Sequence, residues 1–293
     1  MNPEAVTHEI RQEQTQSRCL HDDVLDVKTI DWNHVWRARL ARCGSPKRDA
    51  GFWDGRAASF AKSITEKAYA DRFLAIMKPE AHWSVLDMGC GSGALAIPMA
   101  KRVSSITAVD FSGAMLDIIH KQCADQTIRN ITTILGGWED DWEKLGIEPC
   151  DVAVASRSLT IDDLQACILK LNDIARKRVY IVTVAGDGPH DRRIFDAVGR
   201  SFRPGPDYIY NYNMLYQMGI FANVAFIEEK RNRTYNSPEE AAASMHWMFD
   251  ELNAQEEAKL AAFLEEHLIF QDESWRLSYE NMIRWAVIWW EKK

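Results

Sequence analysis

The run Val85-Leu86-Asp87-Met88-Gly89-Cys90-Gly91-Ser92-Gly93 constrains this chain more than any other feature. An apolar stretch ends in an acid and then in glycines at alternate positions. Glycine turns a backbone tightly and lets a ligand approach closer than a Cβ permits. An apolar strand, a glycine turn and a helix start together build a nucleotide crevice at the carboxyl end of the strand. Spacing then discriminates among nucleotides. The dinucleotide fingerprint G-x-G-x-x-G holds a pyrophosphate against a helix N-terminus. Here the pattern is D-x-G-x-G-x-G, without the x-x step. Asp87, just before the turn, repels a pyrophosphate and attracts a cationic group such as an ammonium.

Composition bounds what surrounds this turn. A chain of 293 residues suffices for one large domain with an extension, or for two small ones, and an apolar fraction of 46% supplies a substantial core. A net charge of −8 gives no long-range attraction for nucleic acid. The basic clusters Lys177-Arg178 and 230–233 read as solvated surface charge. The six cysteines form no C-x-x-C pair, so neither a zinc site nor a dithiol redox pair is suggested. Reduced, mostly buried thiols fit a cytoplasmic protein. No apolar run reaches the roughly 18 residues of a membrane span, and the polar segment 1–16 is not a secretory signal.

Periodicity organises the rest. Residues 1–27 read as a flexible tail and 28–80 as an N-terminal helical cap, with helices over 30–40 and 56–77, Asp54 capping the second. From Trp83 strands and helices alternate. Strands are expected at 84–88, 106–109, 131–135, 151–155 and 179–184; helices at 94–102, 112–123, 139–145 and 161–175. That alternation implies a parallel sheet with helices on both faces. Beyond it, helices at 192–199 and 213–218 flank an aromatic loop, 208–212. A strand at 224–228, a helix opened by a capping box at Ser237-Pro238-Glu239-Glu240, a helix at 255–267 and a last strand at 283–290 follow.

S-adenosylmethionine meets the demands of the turn: its amino-acid end carries an ammonium and a sulfonium, and it has no phosphate. The run 85–93 followed by Asp110 resembles motif I of the class I S-adenosylmethionine-dependent methyltransferases, and the resemblance covers about residues 81–185. It implies an α/β, Rossmann-like, doubly wound sheet of seven mostly parallel strands in the order 3-2-1-4-5-7-6, over 81–293. The helices at about 237–270 would be an insertion between the last two strands. It implies S-adenosyl-L-methionine as cofactor, with S-adenosyl-L-homocysteine as product.

Asp87, Gly89, Cys90, Gly91, Ser92 and Gly93 would form the cofactor bend. Asp110 ends the second strand, where an acid can accept hydrogen bonds from both ribose hydroxyls, and it is the ribose ligand of the resembled family; a helix N-cap or surface acid is the alternative. Phe111 and Met115 are candidates for the adenine face, Met115 equally for the core. Gly137, Trp138 and Glu139 would flank the adenine edge. The register there is open, since Glu139, Asp140 and Asp141 all qualify and the Trp138 N–H is an alternative. Ser156, in the turn 155–158, would lie under the methyl donor.

Methyl transfer from a sulfonium needs an acceptor atom held in line in a dry pocket, and a general base is optional. The catalytic groups therefore stay unassigned, with His190, Arg157 and Tyr210 as candidates. Trp53, Arg56, Arg157, Ser158, Tyr208 and Tyr212 are candidates for acceptor binding; packing and ordinary surface roles compete at each. No metal site is expected. The leading reading is transfer to a small-molecule acceptor, without membrane or nucleic-acid partner and with a homodimer left open. An RNA or protein methyltransferase is the alternative, disfavoured because no N/D-P-P-Y/F run follows strand four and no Pro-Cys nucleophile motif or basic module is present. A non-catalytic S-adenosylmethionine-binding protein is a further alternative.

Overall fold

Continuous apolar runs become strands covered on both faces. In the computed structural model, which describes residues 26–43, 49–57, 67–159, 161–230, 233–249 and 251–292, β1 (Ser84–Met88) and β4 (Cys150–Ser156) bury almost every residue. With β2 (Ser105–Asp110), β3 (Ile131–Leu135), β5 (Ala175–Val184), β6 (Asn223–Lys230) and β10 (Met282–Glu291), they form a seven-stranded sheet in the order β3-β2-β1-β4-β5-β10-β6. The pairs among β1 to β5 are parallel, and β10 runs antiparallel to both β5 and β6. Because β10 is the last strand of this sheet, the order is the 3-2-1-4-5-7-6 that the resemblance implies. The strand order reverses between β1 and β4, which puts the ligand crevice at the carboxyl ends of these two strands.

Helices cover the two faces. On one, α3 (Lys67–Met77), α4 (Ala96–Ala100) and α5 (Gly113–Gln126) bury Phe73, Met77, Met99 and Ile119 against Tyr180 and Val182. On the other, α1 (Trp32–Cys43), α6 (Leu164–Ile174) and α8 (Tyr208–Gln217) bury Trp36, Ile168 and Leu215 against Leu86 and Ile181. Aspartates start several helices by accepting main-chain N–H bonds, as Asp163 does for α6 and Asp207 for α8.

A third cluster is built mainly from the chain between β6 and β10, joined by one helix that follows β5. Here α7 (Arg192–Val198), α9 (Pro238–Ala243), a 3-10 turn (His246–Met248) and α10 (Ala254–His267) pack Ile194, Phe195, Phe249, Leu260 and Leu264 together. A three-stranded antiparallel sheet, β7 (Thr234–Tyr235), β9 (Ser274–Leu277) and β8 (Leu268–Gln271), completes it.

The sequence reading needs several corrections. This small sheet is not anticipated by periodicity, because its strands are two to four residues long. Residues 139–145 form turns, not a helix, since Asp140 folds back to accept the Gly137 N–H at 2.7 Å. The aromatic segment 208–212 is no loop: Asp207 caps it and it forms the start of α8. Ser237 caps α9, but Glu240 accepts the Asn236 N–H instead of closing a box, and the helix ends at Ala243. The full capping box belongs to Asn253 and Glu256 on α10. Asp54 ends α2 (Ala50–Asp54) and gives its carboxylate to Ser112. The middle of the helix expected over 56–77 lies outside the described residues, as does the tail 1–27 except for Asp26 and Val27.

Candidate functional site

The glycines earn their positions through backbone conformation. Gly89, Gly91 and Gly93 all take left-handed φ values, 71°, 53° and 88°, which a side chain disfavours. The Gly89 and Cys90 N–H groups both donate to the Val109 carbonyl, at 2.8 and 3.0 Å. Gly91 N–H donates to Asp110 Oδ2 at 2.7 Å, and Ser112 N–H to Oδ1 at 3.0 Å. The carboxylate that ends β2 thus fixes the bend that ends β1. Each oxygen of Asp110 still has acceptor capacity for a second donor.

Room around the bend is uneven. A Cβ on Gly89 would stand 2.3 Å from Ser158 Cβ, whereas one on Gly91 would meet nothing within 4 Å. Ser158 crosses over Gly89 because its Oγ donates to the Met88 carbonyl at 2.7 Å. The turn after β4 is thereby closed onto the turn after β1, and the open space lies over Gly91.

Asp87 is 1% exposed. Burial, and then the neighbouring charge of Asp110, push its pKa up to about 7, against the opposing pull of the Ala96 N–H and the Arg157 charge. Burial likewise raises Asp110, although its backbone N–H partners oppose the shift. Two desolvated carboxylates facing one space favour a cation over any anion. S-adenosylmethionine fits this donor set: an ammonium for Asp87, ribose hydroxyls for the remaining lone pairs of Asp110, and no phosphate. Cys90, within the bend, is buried, and burial with the Asp87 charge drives its thiol pKa well up, so it is an inert thiol. Ser92 is buried as well.

On the side away from β4, Phe111 follows β2 and is 39% exposed, and its Cβ lies 3.7 Å from where a Gly137 Cβ would stand. Met115 is buried in the first turn of α5. Trp138 is buried too, its indole N–H donating to the Ser158 carbonyl at 3.1 Å, so the turns after β3 and β4 are tied together. Of the acids whose register was open, Asp140 holds Gly137, Asp141 pairs with Lys144 at 2.9 Å, and Glu139 is exposed.

Beyond Ser158 toward β5, Ser156 Oγ and the Tyr69 hydroxyl share a hydrogen bond of 2.7 Å. Arg157 takes a left-handed φ of 59°, a strained conformation for a side-chain-bearing residue. Its N–H donates to Val182, and its guanidinium lies over the rings of Tyr69 at 4.4 Å and Trp285 at 5.2 Å. Tyr69 and Trp285 were missed in the sequence. Both are ordinary members of apolar patterns, and only the chain crossing that brings α3 and β10 to the end of β4 distinguishes them.

The N-terminal segment reaches the same edge. Asp54 Oδ1 accepts from Ser112 Oγ at 2.5 Å, and Ser112 N–H donates to Asp110, so α2 sits beside that carboxylate. Arg56 lies over the Phe52 ring at 5.2 Å, and Phe52 meets Trp53 edge to face. Burial, and then the charge of Arg233, lower the Arg56 pKa. Segment 49–57 is therefore held at the start of α5, next to the glycine bend.

The remaining candidates are drawn elsewhere. Tyr210 packs edge-on against Trp32 and Trp36, Tyr208 against Phe226, and Tyr212 against the core under α8. These rings join helices to the sheet. His190 turns Nδ1 toward its own Asp187 carbonyl at 3.3 Å and packs among Phe195, Phe202 and Trp247.

A family model described as a methyltransferase domain matches residues 85–177. An uncharacterised Haemophilus influenzae protein is 33% identical over 269 residues, spanning 91% of this chain and 98% of its own. A Zymomonas mobilis ubiquinone/menaquinone biosynthesis C-methyltransferase is 32% identical over 66 residues, 22% of this chain and 27% of that one. Among solved structures, a candidate methyltransferase of Bacillus halodurans superposes with a TM-score of 0.51 at 12% identity, over 76% of this chain and 98% of that chain, a likeness of fold. The domain match begins at Val85, on the strand that enters the glycine bend, so family and site coincide: the chain belongs to the class I S-adenosylmethionine-dependent methyltransferases.

Proposed function

We propose that this methyltransferase acts on a small molecule bound beside β5 and β10, under segment 49–57 and the C-terminal cluster. One observation carries the reading. A cavity of about 340 Å³ lies at the carboxyl-end edge of the sheet, lined by Asp191 and Ile194 after β5, Arg233 and Thr234 after β6, and 277–281 before β10. That volume suits a small ligand, and its walls come from the connections that follow the sheet strands.

When bound, S-adenosylmethionine supplies a methyl group already activated by the sulfonium. The chain's own groups then have three tasks. Asp87 holds the ammonium and Asp110 the ribose hydroxyls, with Phe111 against the adenine. Ser158, Trp138 and segment 49–57 exclude water from the bend. The third task, meeting the acceptor, falls to the candidates Arg157, Trp53 and Arg56. Positioning and dryness supply most of the acceleration in such a displacement.

Calorimetry tests the donor half: S-adenosylmethionine and S-adenosylhomocysteine should bind and NAD should not. Asp110→Ala should weaken binding by about 1–3 kcal/mol, the range for hydrogen bonds to a charged acceptor; unchanged affinity removes Asp110 from the site. For the acceptor half, protein and methyl-labelled cofactor are incubated with a cell extract. Label should pass into a new low-molecular-weight compound that separates chromatographically from S-adenosylmethionine and forms only with the protein present. Label confined to RNA or protein would refute a small acceptor.

A further inference from the structure

The cavity's charges do not balance. Two carboxylates and two guanidiniums line it: Asp191, Glu280, Arg233 and Arg276. Both carboxylates are already matched by cations that are not part of the lining. Asp191 pairs with Arg193 at 2.8 Å and Glu280 with Lys230 at 2.6 Å. The guanidiniums are not matched. Among the described residues, neither Arg233 nor Arg276 has a carboxylate within ion-pair distance; Arg276 donates only to the Gln271 side-chain oxygen. In a chain of net charge −8, gathering guanidiniums at one cavity opposes the overall balance and raises a repulsion that an anion would relieve.

Two further groups point the same way. The Tyr279 hydroxyl is buried at this cavity without a hydrogen bond of ordinary geometry, the Asp191 carboxylate beside it being the acceptor that an incoming anion would replace. Burial and the Asp191 charge raise its pKa, so it stays a protonated donor, and a buried donor without a well-placed partner is costly. Trp247 supplies a flat wall, held against His190 with ring centroids 5.1 Å apart.

We propose that the methyl acceptor is a small planar acid whose carboxylate or phosphate monoester lies between Arg233 and Arg276, with the Tyr279 hydroxyl donating to it and the ring against Trp247. Arg guanidiniums are the side chains suited to such bidentate anion recognition. This rests on the cavity being the acceptor site.

The test uses the full chain saturated with S-adenosylhomocysteine and titrated calorimetrically with benzoate, phenyl phosphate and benzamide. The S-adenosylhomocysteine titration comes first, so that failure of the cofactor assignment is seen separately. At least one anion should bind in a salt-sensitive manner, and neutral benzamide at least about tenfold more weakly. Arg233→Gln and Arg276→Gln should each lower anion affinity about tenfold to a hundredfold and leave the S-adenosylhomocysteine affinity unchanged. The ranking of benzoate against phenyl phosphate distinguishes a carboxylic acid from a phosphate ester. Equal binding of benzamide, no heat from either anion at millimolar concentration, or arginine variants that bind anion like the parent would each overturn the proposal.

Discussion

The glycine bend and the C-terminal cluster close the same edge of the sheet by opposite means. The bend is held by main chain: N–H groups of Gly89, Cys90, Gly91 and Ser112 are anchored on Val109 and Asp110. The cluster is held by side chains, with Phe195 against Phe202 and Phe249, and Leu260 and Leu264 beneath them. Main-chain anchoring tolerates few residue types and gives one shape. Side-chain packing tolerates many combinations of similar volume. The first suits a cofactor that never changes, the second an acceptor that differs from one enzyme to another.

Glycine substitutions attack the contrast most directly. Gly89→Ala combines a left-handed φ with a Cβ 2.3 Å from Ser158, and should destabilise the fold by about 2–5 kcal/mol and abolish cofactor binding. Gly146→Ala has a similar φ of 75° but nothing within 4 Å, so only the strain of about 1–2 kcal/mol remains, without loss of affinity. Gly91→Ala should resemble Gly146→Ala in stability but Gly89→Ala in binding, because its Cβ enters the open space over the bend. Denaturant melts beside calorimetry separate the two readouts. Equal losses of affinity at Gly91 and Gly146 would mean the bend is merely a turn.

The cluster should fail differently. Leu264 is 2% exposed on α10, and Leu264→Ala should cost about 2–4 kcal/mol while S-adenosylhomocysteine affinity stays within about twofold. Amide exchange should speed in 233–280 before the sheet opens. Exchange rising uniformly across β1, β4 and the cluster would show that the two regions are one cooperative unit.

What could be read from the sequence follows the same division. The bend, the strands β1 to β5 and the acids Asp87 and Asp110 were legible because backbone demands are local: a left-handed φ calls for glycine, and a strand covered twice calls for an unbroken apolar run. The small sheet was not, because strands as short as Thr234–Tyr235 have no period to detect. Tyr208, Tyr210 and Tyr212 misled because an aromatic run resembles a pocket wall. Only Asp207 as a cap, and Trp32 and Trp36 arriving from α1, reveal a packed helix. Arg233 reads in sequence as solvated surface charge and Tyr279 carries no signal, because what surrounds each side chain is visible only in three dimensions.

Asp87 makes the cofactor side sensitive to pH. Its folded pKa near 7 stands above the ordinary 3.8. Between those values the unfolded chain has released its proton and the folded chain retains it. Stability of the free protein should therefore fall as pH rises from about 4 to about 7, and level off above. Asp87→Asn should remove that slope, leaving the variant more stable than the parent at about pH 8 by about 1–3 kcal/mol, yet weaker for the cofactor. Binding of the ammonium favours the ionised form, so the parent should release a proton on binding near pH 6 and the variant none. Heats measured in buffers of different ionisation enthalpy would reveal it. Equal proton release from both would place the titration elsewhere.

The smallest effect belongs to the cluster's own charge pair. Glu256 accepts the Asn253 N–H at 2.9 Å and meets Arg200 at 2.6 Å, and the Arg200 hydrogen bond, with that of Asn253, lowers its pKa from 4.5 to about 2. A depressed carboxylate stabilises above its unfolded pKa and loses that contribution as pH falls through its folded one. Glu256→Gln keeps an acceptor for the helix cap and removes only the charge. The parent's small advantage in melting temperature should thus be full near neutral pH and shrink between about pH 4.5 and pH 2, a direction opposite to that set by Asp87 over the adjoining range. If both variants shift the melting profile with the same sign, the two ends of this edge do not carry independent electrostatics, and the division drawn between bend and cluster fails.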